Sequence, residues 1–225
     1  MPLQRQIGNP KSQIRLVVFD LGRVLIRICD DWKHACAIAG VAVPPGELAA
    51  PSQAALNALV CAVEVGDLDL AAFASAVAPN LGLSSGDVVR LHNAYLRGPY
   101  PGAFELLGDL RRSGVATACL SNTNANHWRL MTDPSSPNYM AFDDTFTHVF
   151  ASHLVRLRKP DDCIYAHVEQ STGAGPDEIV FFDDVPENIA AAATRGWRAH
   201  AIRIDADPIA QARTHLAAYR LLSDS

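Results

Sequence analysis

The chain has 225 residues, of which 49% are hydrophobic and 19% charged, and a formal net charge of −5. That composition fits a globular core domain with room for a smaller insertion, and it excludes a disordered chain. The acidic balance speaks against a general nucleic-acid binder, which needs a basic face, and no apolar run reaches the length of a membrane span.

Met1–Gln13 has no apolar periodicity and carries Arg5, Gly8, Pro10 and Lys11, so it reads as a loose tail without the apolar stretch of a secretory leader. The cysteines, Cys29, Cys36, Cys61, Cys119 and Cys163, are odd in number and widely spaced, with no C-x-x-C pair. Reduced, mostly buried thiols in a cytoplasm are the expectation. Leu16–Phe19 is the first apolar run and predicts a buried strand. From Asp30 to Arg97 the chain turns Ala-rich with helical spacing, broken at Pro44-Pro45-Gly46, at Gly66-Asp67 and over Pro79–Gly86. This predicts a small helical bundle inserted after the first strand, and Gly98–Gly102 reads as the hinge back. A helix follows over Ala103–Arg112, stopped by Ser113-Gly114, then strands at Ala116–Leu120 and His148–Ala151. Ile164–Gln170 and Glu187–Arg195 read as helices around a strand at Ile179–Phe182, with a fifth strand over Ala199–Ile204. The alternation predicts an α/β fold, a Rossmann-like doubly wound parallel sheet. The expected division is a tail over 1–13, a core over 14–29 and 98–225, and a helical cap over 30–97.

Four candidate sites fall just after predicted strands, where open α/β sheets bind their ligands. Asp20 ends the first strand, and a carboxylate there is costly unless paired or bound to a metal, although an ordinary turn aspartate is the plain alternative. Ser121-Asn122-Thr123-Asn124 offers hydroxyl and amide donors for phosphate oxygens, or simply a helix cap. Lys159, fixed by Pro160, offers a point charge, or only a solvated lysine. Asp183-Asp184 sets two carboxylates side by side. Their repulsion is relieved by a divalent cation, and hard oxygen ligands suit magnesium.

Taken together, the order and spacing of Asp20, Ser121, Lys159 and Asp183 resemble the haloacid dehalogenase-like (HAD) hydrolase superfamily over Arg15 to about Arg203. Glu64–Leu68, Tyr100-Pro101-Gly102 and Asp183–Ile189 resemble its cap, hinge and fourth motif. Phe19-Asp20-Leu21-Gly22 with Leu120–Asn124 looks most like the bacterial sugar-phosphate subgroup of α-D-glucose-1-phosphate phosphatase. The phosphatase domain of soluble epoxide hydrolase is a more distant likeness.

The resemblance implies a magnesium-dependent phosphatase acting on a small phosphorylated metabolite, possibly a sugar phosphate, as a monomer or homodimer without nucleic-acid or membrane partners. By similarity Asp20 is the nucleophile that forms an aspartyl-phosphate. Mg2+ is held by Asp20, the Gly22 backbone carbonyl and Asp184, assisted by Asp183. Ser121 and Asn122 bind phosphoryl oxygens, Lys159 balances transition-state charge and Asn188 supports the metal shell.

Two residues depart from the family pattern. Gly22 stands where its phosphatases usually carry a general acid–base aspartate, although the likened subgroup also has glycine there. Arg156 stands where glycine is usual, and either alters the loop or adds a cation for the substrate. Arg23, Arg27, Trp32, His34 and His127 are further candidates for the pocket, each with a plain packing or surface alternative. The other functional readings are a 2-haloacid dehalogenase, with Asp20 attacking carbon, and a catalytically weak phospho-ligand-binding protein.

Overall fold

The computed structural model describes residues 14–42 and 50–222, with side chains from 54 onward in the second stretch. The expected tail and the Pro44-Pro45-Gly46 break lie outside the described residues.

Five parallel strands form the core sheet: β1 (Leu16–Phe19), β4 (Ala116–Ser121), β5 (His148–Ala151), β6 (Ile179–Asp183) and β7 (Arg198–Ala201). They lie side by side in the order β5-β4-β1-β6-β7, so the central strand comes first in the chain. Both faces are covered, which is why the inner strands β1 and β6 carry continuous apolar runs, Leu16–Phe19 and Ile179–Phe182, rather than alternating ones. Along β1, Val17 and Phe19 pack on Leu106, Leu107 and Leu110 of helix α5 (Ala103–Ser113) and on Ile209 and Leu216 of α11 (Pro208–Ala218). The intervening Leu16 and Val18 pack on Ile164, Tyr165 and Val168 of α9 (Asp162–Thr172) and on Ala192 of α10 (Pro186–Thr194). Chain connections leave β1 toward β4 on one side and return to β6 on the other. The carboxyl end of β1 is therefore the switch point, where the two flanking loops part and leave a crevice.

Between β1 and α5 lie four helices among the described residues, α1 (Trp32–Ala39), α2 (Ala50–Glu64), α3 (Leu70–Leu81) and α4 (Ser85–Ala94). Their starts are written locally. Asp31 caps α1 through the His34 N–H, Asp69 caps α3 through the Ala72 N–H, and Ser84 with Asp87 forms a capping box on α4. Val63, Phe73, Val77, Leu81 and Val88 give these helices an apolar core of their own.

The segment expected as a hinge, Gly98–Gly102, begins inside β3 (Leu96–Pro99), which pairs antiparallel with β2 (Ile26–Ile28), and its remaining residues turn into α5. A three-residue strand is too short to leave a period in the sequence. The fifth core strand stops at Ala201 rather than Ile204, because β7 is an edge and its single partner β6 ends at Asp183, opposite Ala201. Ser121 and Asp183 are themselves the last residues of β4 and β6, one residue beyond the predicted ends. All five cysteines are free thiols, with Cys29, Cys36 and Cys119 buried. No helix among the described residues is long and apolar enough to cross a membrane.

Candidate active site at the carboxyl ends of the central strands

Three parallel strands deliver the site. Asp20 follows β1 directly and is anchored by its N–H donating to the Phe182 carbonyl at 2.8 Å. Ser121 ends β4 and Asp183 ends β6, the two neighbours of β1. Asp20, Asp183 and Asp184 each place a carboxylate oxygen within 4.8 Å of one another.

Lys159 arrives from the loop after α8 (Ser152–Val155) and is almost wholly buried, with 1% of its side chain exposed. Its Nζ lies 2.9 Å from Asp20 Oδ1 and donates to Asp183 Oδ2 at 2.6 Å. The backbone of Lys159 is clamped by Asn122, whose Nδ2 donates to the Lys159 carbonyl and whose Oδ1 accepts from the Lys159 N–H, both at 2.8 Å. The Lys159–Pro160 peptide is cis. Asp183 is fully enclosed. Asn188 Nδ2 donates to both of its oxygens at 3.0 Å, and the Val185 N–H donates to Oδ1 at 2.8 Å. Asp184 is less engaged, with Arg23 Nη1 at 3.7 Å from its Oδ2.

Electrostatics follow from this crowding. Burial pushes the Asp20 carboxyl up to about 7, with Asp183 adding to the rise and Lys159 opposing it. Asp184 is raised by burial and then by Asp183, against Arg23. Burial disfavours the Lys159 ammonium, but the Asp20 and Asp183 carboxylates outweigh it and raise its pKa. One lysine thus faces three acids, and the cluster is short of positive charge. Hard oxygen donors with that deficit fit a small divalent cation.

A cavity of about 890 Å3 opens from these groups toward the helical unit. Asp20, Gly22, Ser121, Asn122, Lys159 and Asp184 line its floor. Of the further candidates, Arg23, Trp32 and His127 line it. His34 turns away to Asp30, with its Nδ1 at 3.3 Å from Oδ2, and Arg27 is exposed outside the lining. A Cβ built on Gly22 meets nothing closer than Ile28 Cδ1 at 3.8 Å and Asp20 Oδ2 at 4.0 Å. Packing therefore leaves room for a side chain there.

Arg156 adds no cation to the cavity. Its φ of 58° lies in the left-handed region that a glycine favours. Its guanidinium pairs with Asp67 of the helical unit, outside the cavity lining. Beside it Arg158 binds Glu64 through Nε at 3.1 Å and Nη2 at 2.9 Å, a pair that does line the cavity. Gly66 closes the junction, since a Cβ there would stand 2.9 Å from the His153 carbonyl oxygen.

Sequence reasoning missed His92 of α4, whose ring stacks on that of His127 at 3.9 Å and whose Nε2 lies 3.2 Å from Asn124 Nδ2. Only the N-cap potential of Asn124 was legible. Its partner lies on another element, far off in the chain.

Residues 14–196 match the family described as haloacid dehalogenase-like hydrolase. Among curated relatives, the chain is 29% identical over 134 residues to Phosphatase MT3486 of Mycobacterium tuberculosis, covering 58% of this chain and 59% of that protein. It is 34% identical over 92 residues to the sesquiterpene phosphatase astK of Aspergillus oryzae, covering 40% and 44%. The chain thus spans only about half the length of these relatives. A solved HAD family enzyme from Bacteroides thetaiotaomicron, in complex with magnesium and inorganic phosphate, superimposes with a TM-score of 0.69 at 24% identity, over 86% of this chain and 96% of that one. Given the span of the family match, and a sheet that carries the acids on adjacent strand ends, the chain belongs to the haloacid dehalogenase-like hydrolase family.

Proposed function

We propose that the protein is a magnesium-dependent phosphomonoesterase working through an aspartyl-phosphate. The observation that carries this reading is the convergence of Asp20, Asp183 and Asp184 around a single buried lysine at the switch point of the sheet. The phosphatase names of the two curated relatives agree with it.

Asp20 is the nucleophile. Its carboxylate oxygen attacks phosphorus while the ester P–O bond breaks, and the leaving alkoxide takes a proton from water. A second water then attacks phosphorus and releases inorganic phosphate, which regenerates Asp20. Lys159 holds Asp20 in place and balances the charge that gathers on the phosphoryl oxygens, which Ser121 and Asn122 receive. Asp20, the Gly22 carbonyl and Asp184 would hold Mg2+. Asp183, whose oxygens already accept from Lys159, Asn188 and Val185, supports that set and fixes the lysine. Bound Mg2+ supplies neutralising charge that lets one anion approach another. The helical unit over 30–97 acts as a cap that excludes water from the first step. The likeness to α-D-glucose-1-phosphate phosphatase keeps small sugar phosphates among the substrates to be tried, and free thiols suit a cytoplasmic setting.

Hydrolysis of p-nitrophenyl phosphate with and without Mg2+, beside an Asp20→Asn variant, tests the reading. Metal-dependent turnover lost in the variant is the expected result. Metal-independent halide release from a 2-haloacid would instead assign dehalogenation, and phosphate binding without turnover would assign a ligand-binding protein.

A further inference from the structure

The floor of the cavity is charged, but the wall opposite is hydrocarbon. The helical unit contributes Leu56 and Val60 to its surface, backed by the buried Phe73, Val77 and Leu91, and Ile28 of the ribbon continues it. Large apolar side chains are normally withdrawn from water, yet Trp32, Val60 and Val185 stay 39%, 37% and 39% exposed, and all three line this cavity. Clustered apolar exposure beside a polar floor marks a binding surface.

Few polar atoms on that wall are left over. Glu64 is held by Arg158, and His92 is stacked on His127 with its Nε2 against Asn124, which leaves only its buried Nδ1 without a partner. Tyr95 and Trp32 each bring one polar atom on an otherwise apolar ring. A sugar carries a hydroxyl on nearly every carbon, and a hydroxyl enclosed without a partner is penalised. A hydrocarbon needs no partners and gains from leaving water.

We propose that the substrate is the phosphate monoester of an apolar alcohol, with the phosphate on the Asp20 floor and the hydrocarbon along the wall of the helical unit. This rests on the phosphomonoesterase reading and names its substrate class. The size of the cavity, about 890 Å3, suits a chain well beyond four carbons.

The test is kcat/KM of the magnesium-loaded protein on butyl, octyl and dodecyl phosphate below their micelle concentrations, beside glucose 1-phosphate and p-nitrophenyl phosphate. Burial of each methylene predicts a rise of about threefold to fourfold until the cavity is full, with glucose 1-phosphate below butyl phosphate. Val60→Gln, at a position exposed enough to spare the fold, lowers the dodecyl-to-butyl ratio. Calorimetry with non-hydrolysable dodecyl- and butylphosphonate gives a reading free of turnover, and the longer ligand binds more tightly with a more negative heat-capacity change. Hydrolysis of p-nitrophenyl phosphate with a flat chain-length profile, or with glucose 1-phosphate preferred, overturns this inference and leaves the phosphatase reading standing. Absence of hydrolysis on every ester, with dodecylphosphonate still bound more tightly than butylphosphonate, overturns the phosphatase reading and leaves the apolar site standing.

Discussion

Asn122 and Lys159 hold each other twice, the carboxamide of one bridging the backbone N–H and carbonyl of the other at 2.8 Å each. This clamp sets the height at which the lysine enters the carboxylate cluster. Asn122→Ala should therefore lower kcat on p-nitrophenyl phosphate by ~10–100-fold, because small displacements of a charged group are costly. It should also cost about 1–3 kcal/mol in urea unfolding for the two lost bonds. An unchanged kcat beside the stability loss would reduce the clamp to a structural tie.

The carboxylate cluster predicts stabilisation by metal. Adding Mg2+ should raise the melting temperature of the protein in a concentration-dependent way, because the ion binds the folded chain alone. Asp184→Asn should abolish the rise and the turnover together. A melting temperature indifferent to Mg2+ at millimolar concentration would count against the ligand set Asp20, Gly22 and Asp184.

Gly22 offers no side chain to protonate a leaving group, and its surroundings have room for one. Gly22→Asp should raise turnover of alkyl phosphates by roughly 10-fold or more, the lower part of what general acid–base help supplies, with a smaller gain on p-nitrophenyl phosphate, whose leaving group needs little protonation. Equal changes on both substrates would show that proton delivery is not what limits the rate.

The His92–His127 stack predicts acid sensitivity. Burial first, and then His127, depress His92 to about 3, and burial depresses His127 to about 4, against the ordinary 6.5. In this window the unfolded chain binds more protons than the folded one. Stability is therefore full above pH 6.5 and falls as the pH drops toward 4, by up to ~1.4 kcal/mol per pH unit for each ring. Urea unfolding of His92→Phe at pH 7 and pH 5 should show a shallower loss than the parent. His200, also pushed down to about 4 by burial and then His215, keeps part of the slope in both proteins.

Gly66 has φ +76° and faces the His153 carbonyl where the helical unit meets the core. Gly66→Ala should cost about 1–3 kcal/mol through left-handed strain and the backbone clash together. The loosened junction should raise KM more than it lowers kcat. Arg156→Gly, which keeps the same turn, should leave kcat in place and lose only the Asp67 pair.

Much of this molecule can be read along the chain. Leu16–Phe19 and Ile179–Phe182 announce buried strands because both faces of a parallel sheet are covered. Asp20, Ser121, Lys159 and Asp183 stand out because polar groups at the ends of such strands need a reason to be there. Asp31, Asp69 and Ser84 mark helix starts through bonds that reach only three residues on. What the tertiary structure alone decided is which distant groups meet. The β2–β3 ribbon is too short to leave a period, and Arg156 finds Asp67 only because two separate units pack together. The stack of His92 on His127, and the apolar wall that faces the acids, belong to the same class. Local propensity acts within a few residues, whereas a cavity is a property of surfaces brought together by packing, so its chemistry is written in no single stretch of sequence.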